Sequence, residues 1–334
     1  MMATPKKTAL VISGGGSKGA FAVGVLEYIS TTYRHAGWFA ITGGTSTGAL
    51  IAPMAALMGA PDPTGSDALD VLMEMYTTVN TKDILDKQNF FELLIRHDAL
   101  YESTPLNELL HEKFRPAWFE WLKRPEAPDC YVVYTNYQNG QKMIASPKDP
   151  AMTRERFLMA MLASASVPVI MEATKIDGSV CYDGGVRDLL PFGRAIDLGA
   201  TKILPIFLDP EKFPETSDSF KNVYKIMLRT IEILVDETGR NDFEVAQLIN
   251  LAIQAKERML KEFEGDPGAL GKLNQIFEEF DPLFGKRLIE IIPGLRPDKV
   301  LTEDALTFDP KEMKEWVRLG FEKAKALIDH SPFE

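Results

Sequence analysis

Two glycine-bounded runs contain the residues whose types and spacing could do chemistry. Gly44-Thr45-Ser46-Thr47-Gly48 fits G-x-S-x-G, in which a serine sits on a sharp strand-to-helix turn and lifts its hydroxyl above a sheet. Small flanking residues are needed there because Cβ atoms would collide, and a helix N-terminus behind the serine favours the negative charge that develops in acyl transfer. Ser46 is the candidate nucleophile. Gly14-Gly15-Gly16-Ser17-Lys18-Gly19 satisfies G-x-G-x-x-G. A dinucleotide site would also need an acid at the end of the second strand, about 20 residues on. That strand is expected to end Ile41-Thr42-Gly43-Gly44, without one. A phosphate-binding P-loop ends Gly-Lys-Ser/Thr, whereas this run reads Ser17-Lys18-Gly19. Neither nucleotide reading fits, and no cofactor is expected. If the two strands end side by side, the amides of the first run lie over Ser46 and suit an oxyanion hole.

A serine hydroxyl is a poor nucleophile until a positioned base takes its proton. The four histidines, His35, His97, His111 and His330, fall at no strand end or glycine turn, and surface or helix-capping roles suit them better. Asp183 is an alternative. In Tyr182-Asp183-Gly184-Gly185 the two glycines let a carboxylate turn into a crowded site. An ordinary Asp-Gly turn accounts for the same residues more simply, so the residues alone leave the base open.

The elements that must position these groups read as α/β. Residues 8–13 form a near-continuous apolar run closed by glycines, as in a strand buried on both faces of a parallel sheet. A helix over 18–33 follows, with Phe21, Val25, Leu26 and Ile29 on one face. A strand over 38–42 and an apolar helix over 49–58 complete a β-α-β-α opening, which argues for a mostly parallel sheet covered by helices in three layers. Residues 61–126 read as a helical insertion, with Thr104 capping a helix that starts at Pro105. Hairpins are expected over 131–145 around Asn139-Gly140, with φ above zero in that turn pair, and over 172–182 around Asp177-Gly178. Residues 202–208 form another buried strand. Helices over 220–236, 242–263 and 312–329 and a late strand over 288–292 follow. We place a catalytic unit at 7–211 and a helical extension at 212–334, a buttress or oligomer surface in the plainer reading and a mobile lid in the sharper one.

The chain has 334 residues, 45% hydrophobic and 25% charged, which are globular proportions with room for a core of about 200 residues and an appended unit. Lys and Arg number 37 against 48 Asp and Glu, a net charge of −11. No global basic field attracts nucleic acid or anionic bilayers, so any transient membrane-surface contact must be local and apolar. Phe114, Trp118, Phe119 and Trp121 cluster beside Arg115, Lys123 and Arg124, and residues 89–95 add Phe90, Phe91, Leu93 and Leu94. That composition could seat a segment at a lipid interface, but packing of the insertion against the core is the preferred reading. Cys130 and Cys181 lack a partner motif, which predicts buried thiols in a reducing compartment and neither a disulfide framework nor a metal site. No signal-type leader and no apolar run of about 18 residues is visible. A soluble, cytoplasmic protein is expected; the oligomeric state is not legible.

Taken in order, Gly14 to Gly19, Gly44 to Gly48 with Ala49, Ala163-Ser164-Ala165-Ser166-Val167-Pro168, and Asp183-Gly184-Gly185 resemble the patatin-like phospholipase family over about residues 7–208. Lys18 stands where that family commonly has arginine, and Gly185 where alanine is frequent. The resemblance implies a Ser-Asp dyad without histidine: Ser46 attacks an acyl ester of a lipid, Asp183 accepts its proton, and the Gly15 and Gly16 amides with their neighbours hold the oxyanion. The expected function is a serine lipid acyl hydrolase of the phospholipase A or lysophospholipase type. An acyltransferase using the same acyl-enzyme and a non-catalytic lipid-binding module are the alternatives.

Overall fold

The computed structural model describes residues 7–333 except 88–98, 100, 214, 217–219, 222, 281–287, 293 and 303. The expected segment 89–95 and His97 lie outside the described residues. The chain opens with β1 (Thr8–Ile12), α1 (Gly19–Tyr33), β2 (Ile41–Thr45) and α2 (Thr47–Met58). α3 (Thr64–Thr78), α4 (Thr81–Ile84), the short pair β3 (Asp86–Lys87) and β4 (Tyr101–Glu102), α5 (Thr104–Lys113) and α6 (Pro116–Leu122) follow. Next come β5 (Asp129–Asn136), β6 (Gln141–Ala145), α7 (Arg154–Ala165), β7 (Thr174–Ile176), β8 (Ser179–Asp183), α8 (Phe192–Asp197) and β9 (Lys202–Ile206). The last third contributes α9 (Val223–Glu262), α10 (Pro267–Glu279), β10 (Glu290–Ile291) and α11 (Pro310–Leu327).

β10, β9, β1, β2 and β5 pair in that order, all parallel, while β6, β8 and β7 add antiparallel pairings. The alternation along β1 shows why its sequence is apolar throughout. Leu10 and Ile12 enter a large core with α1, α2, α3 and α7, and Ala9 and Val11 enter a second core with Phe192 and Ala195 of α8. Both faces of the sheet are thus covered by helices.

β5 governs where the chemistry sits. Its residues 132–136 pair with β6, which takes one edge. β2 pairs with residues 129–133 and β8 with 134–136, so these two share the other edge. Parallel β2 ends with Thr45 opposite Val133, antiparallel β8 ends with Asp183 opposite Tyr134, and the two strands meet end to end. The residues that leave those ends are therefore neighbours although they lie far apart in sequence.

Several expectations need correction. β2 starts at Ile41 and runs to Thr45, because the glycines read as its stop pair with Val11 and Ile12 of β1. The cap of α5 is Ser103 rather than Thr104, with Pro105 inside the first turn. In the Asn139-Gly140 turn Gly140 has positive φ, and Asn139 is not among the positive-φ residues; the Asp177-Gly178 turn has both. The two helices expected between 220 and 263 form one 40-residue helix, α9; the Gly239-Arg240-Asn241 stretch does not interrupt it, and Gly239 packs against Leu189. The preferred reading of the aromatic cluster, by contrast, holds: Phe114, Trp118 and Phe119 are 2% exposed, Phe114 and Phe119 pack on Phe157, and Trp118 packs on Phe114, so they form no lipid-facing patch. The segment after 212 does not stand apart from the sheet. Met313, Trp316 and Val317 of α11 lie in the main core against α1, and Leu295 bridges to Ile206. No described helix is long and apolar enough to cross a membrane.

Candidate active site

Ser46 occupies the junction of β2 and α2 with φ 58° and ψ −127°, a left-handed conformation that a serine adopts only when its surroundings impose it. Its amide donates to Ser164 Oγ at 2.9 Å, and that hydroxyl donates to the Val133 carbonyl. Ser164 lies near the end of α7, so the elbow is pinned from across β5. Gly44 packs against the backbone of Gly48 beneath the turn, as the spacing required. Thr45 Oγ1 donates to the Asp188 carbonyl at 2.9 Å, and Thr47 Oγ1 hydrogen-bonds the buried Tyr76 hydroxyl.

Asp183 arrives at the end of β8. Its amide donates to the Ser166 carbonyl at 2.9 Å, its carbonyl accepts from Thr135 Oγ1 at 3.0 Å, and its Oδ1 accepts from the Gly185 amide at 2.7 Å. The carboxylate lies near the Ser46 side chain, whose hydroxyl acts to lower its pKa. Burial pushes its pKa up to about 6, against the lowering effect of the Ser46 hydroxyl and the Gly185 amide. Ser46 and Asp183 are 8% and 6% exposed. A carboxylate desolvated in this way is a stronger base than one in water and is still ionised at neutral pH.

The first glycine run lies over the pair. Gly14 approaches so closely that an added Cβ would stand 2.8 Å from Ser46 Cβ. Ser13 Oγ donates to the Gly14 carbonyl and accepts from the Leu208 amide, and the Gly15 carbonyl accepts from Lys18 N. In a trans peptide the amide points opposite to the carbonyl, so the Gly15 and Gly16 amides are turned away from those contacts. Neither has a protein partner among the described residues. The other members of the run are engaged. The Ser17 amide donates to the Ala305 carbonyl at 2.8 Å, Lys18 Nζ meets Asp209 at 2.6 Å, and the Gly19 amide bonds back to Gly16 and Ser17.

A cavity of about 880 Å³ opens onto Ser46 and Asp183. Leu50, Met75, Val79, Leu106, Leu109 and Ile170 give it a long apolar wall, while the segment after β9 and the α9 face add charged groups. None of the described histidines lines it: His35 and His330 are exposed, and His111 lies beside Glu155 at 3.5 Å. Among the described residues no His, Cys, Asp and Glu cluster could hold a metal. Cys130 and Cys181 are buried free thiols, and burial pushes the Cys130 thiol up to about 12, which leaves it inert. Sequence reasoning gave Ser164 no role and did not see Asp209 or Ala305. The buried serines at the end of an apolar helix were the available signal for the first, and nothing local marked the other two.

A family model described as Patatin-like phospholipase matches residues 10–196. Among solved structures, the crystal structure of VipD from Legionella pneumophila aligns with 98% of this chain and 67% of its own, with 12% identity and a TM-score of 0.42.

Proposed function

The chain belongs to the patatin-like phospholipase family, whose members are lipid acyl hydrolases, and from that premise we propose that it hydrolyses acyl esters of lipids through Ser46 and Asp183. The observation that carries this reading is the juxtaposition of a strained, buried serine and a desolvated aspartate on one cavity beneath the glycine turn. In this mechanism Ser46 Oγ attacks the ester carbonyl carbon while its proton passes to Asp183. The carbonyl oxygen becomes an oxyanion, held by the Gly15 and Gly16 amides and favoured by the N-terminus of α2. Collapse expels the alcohol, which takes the proton back from Asp183 and leaves an acyl-Ser46 ester. Water, deprotonated by Asp183, then attacks that ester, and Ser46 regains its proton as the fatty acid departs.

The test is turnover of a short-chain p-nitrophenyl ester and of phospholipid vesicles, together with intact-mass detection of a fluorophosphonate adduct. Ser46→Ala should lose the adduct and reduce kcat by about 10⁴-fold or more, and Asp183→Asn should also be inactive. Equal turnover by wild type and both variants would overturn the assignment.

A further inference from the structure

Arg296 is a cation on the cavity wall that no described carboxylate meets at ion-pair distance. Its guanidinium lies 4.0 Å from the centroid of the Phe207 ring, half-buried, and makes no hydrogen bond or ion pair among the described residues. Lys18, Arg229 and Arg240 of the same lining meet Asp209, Glu232 and Asp236 at 2.6, 3.1 and 2.5 Å. Burial lowers the Arg296 pKa; Glu211 and Asp236 nearby act in the other direction, and Arg240 adds to the lowering. Arginine remains charged under such shifts. Glu211 and Asp236 lie beyond ion-pair distance, so the desolvated guanidinium is only partly compensated, and a ligand anion in direct contact would compensate it further.

Its place in the sheet puts it within reach of the chemistry. Leu295 bridges to Ile206, and the Phe207 amide donates to its carbonyl at 2.8 Å, so Arg296 leaves the sheet edge one strand beyond β9. Leu208, next to Phe207, packs on Gly15, where an added Cβ would stand 2.7 Å away. Arg296 and the glycine turn are thus two strand positions apart, about 10 Å, a gap spanned by a glycerol phosphate and an arginine side chain together. Around it carboxylates outnumber cations on the lining. The exposed Glu211, Glu215 and Glu244 make no ion pair among the described residues. Such a rim repels a net anion and attracts the cationic end of a zwitterion.

Resting on the hydrolase reading above, we propose that Arg296 holds the phosphate of a zwitterionic glycerophospholipid while Glu211, Glu215 and Glu244 face its ammonium end. Choline- and ethanolamine-type phospholipids are then the substrate class, ahead of neutral glycerides and net-anionic phospholipids. Arg296 is a binding residue here; the planar guanidinium can take two phosphate oxygens at once.

Two readouts test this. In a Ser46→Ala background, calorimetry compares a short-chain, monomeric diether glycerophosphocholine with the matching phosphoglycerol, the matching neutral dialkylglycerol, free phosphocholine and inorganic phosphate. The diether phosphocholine should bind tightest, and the free head groups should bind weakly. Arg296→Met, which still covers Phe207, should weaken diether phosphocholine binding by about ten- to a hundredfold and affect the neutral compound far less. Arg296→Lys should recover part of the loss, and Arg296→Gln takes the place of the Met variant if that protein does not fold. In the active protein, the ratio of kcat/KM for phosphatidylcholine to that for a p-nitrophenyl ester should fall with Arg296→Met, mainly through KM. Equal affinity for the phosphocholine and neutral compounds, tighter binding of the phosphoglycerol, or phosphocholine binding indifferent to Arg296 would each overturn the proposal. Arg296-dependent binding without turnover of any ester would instead remove the hydrolase reading and leave this one standing. Turnover with Arg296-indifferent binding would do the reverse.

Discussion

In the proposed mechanism Asp183 has to be ionised to accept a proton from Ser46, and its pKa of about 6 reflects burial opposing that ionisation. Hydrolysis should therefore rise with pH through about 6, and kcat/KM should fall about tenfold per unit well below it. A pH profile centred near the ordinary carboxylate value of 3.8 would show that the base is not buried. The same shift has a stability sign. The folded pKa lies above the unfolded one, so the contribution from Asp183 is present below about pH 4 and is lost as pH rises through 6. Asp183→Asn keeps an acceptor for the Gly185 amide and removes the charge. Urea unfolding should find this variant more stable than wild type at pH 8, by at most about 3 kcal/mol, with the difference gone at pH 4. Ser46 was legible because an elbow is a local device, fixed by glycines two residues either side. The nearness of Asp183 was not legible locally, since a turn describes its residues more simply and only the family resemblance singled it out; two strands sharing one edge of β5 bring it to the elbow.

At the scale of elements, α7 holds the Ser46 elbow from across the sheet. Ser164 accepts from the Ser46 amide and donates to the Val133 carbonyl, so one side chain ties the β2 elbow to β5. Ser164→Ala leaves a buried amide without an acceptor, which should cost about 1–3 kcal/mol in stability. It should also lower kcat more than KM, because the Ser46 side chain loses its fixed aim while the cavity wall is unchanged. Steady-state kinetics beside a denaturant melt would separate the two effects, and an unaltered kcat would show that the elbow holds itself. The hairpins, β1, α1 and α2 were readable from turn pairs and periodicity. The boundaries of β2 and α9 were not, because Gly43, Gly44 and Gly239 read as breakers in isolation but are required by close packing against Tyr131, Gly48 and Leu189. The aromatic cluster near 114–121 shows the converse: its composition also suited a lipid surface, but core packing was the preferred reading, and Phe114 and Phe119 are buried against Phe157.

At the scale of the whole molecule, the cavity is assembled from every third of the chain. Gly14, Gly15, Gly16, Lys18, Ser46 and Leu106 come from the first, Ile170 and Asp183 from the middle, and Arg296, Ala305 and Phe308 from the last. The recognisable motifs stop before residue 212, so sequence alone makes the remainder look detachable. Packing argues otherwise. Gly24 of α1 and Gly320 of α11 lie so close to the other helix that an added Cβ would stand 1.8 Å from the Val317 carbonyl oxygen and 1.9 Å from that of Phe21. Met313, Trp316, Val317 and Ile328 are buried in that contact and its surroundings. Each such side chain contributes about 1.5–3 kcal/mol, so together they match much of the 5–15 kcal/mol by which a whole domain is stable. A chain ending at residue 212 should therefore fail to unfold cooperatively and should turn over no ester. The milder Gly24→Ala in the full chain should lower stability by about 3 kcal/mol, read from its melting temperature, without touching the site. A cooperative melt for the shortened chain, with p-nitrophenyl ester turnover intact, would reduce the last third to an appendage. Loss of both would make it part of the catalytic unit, since the carbonyl holding Ser17 and the cation facing the cavity would leave with the helix that completes the core.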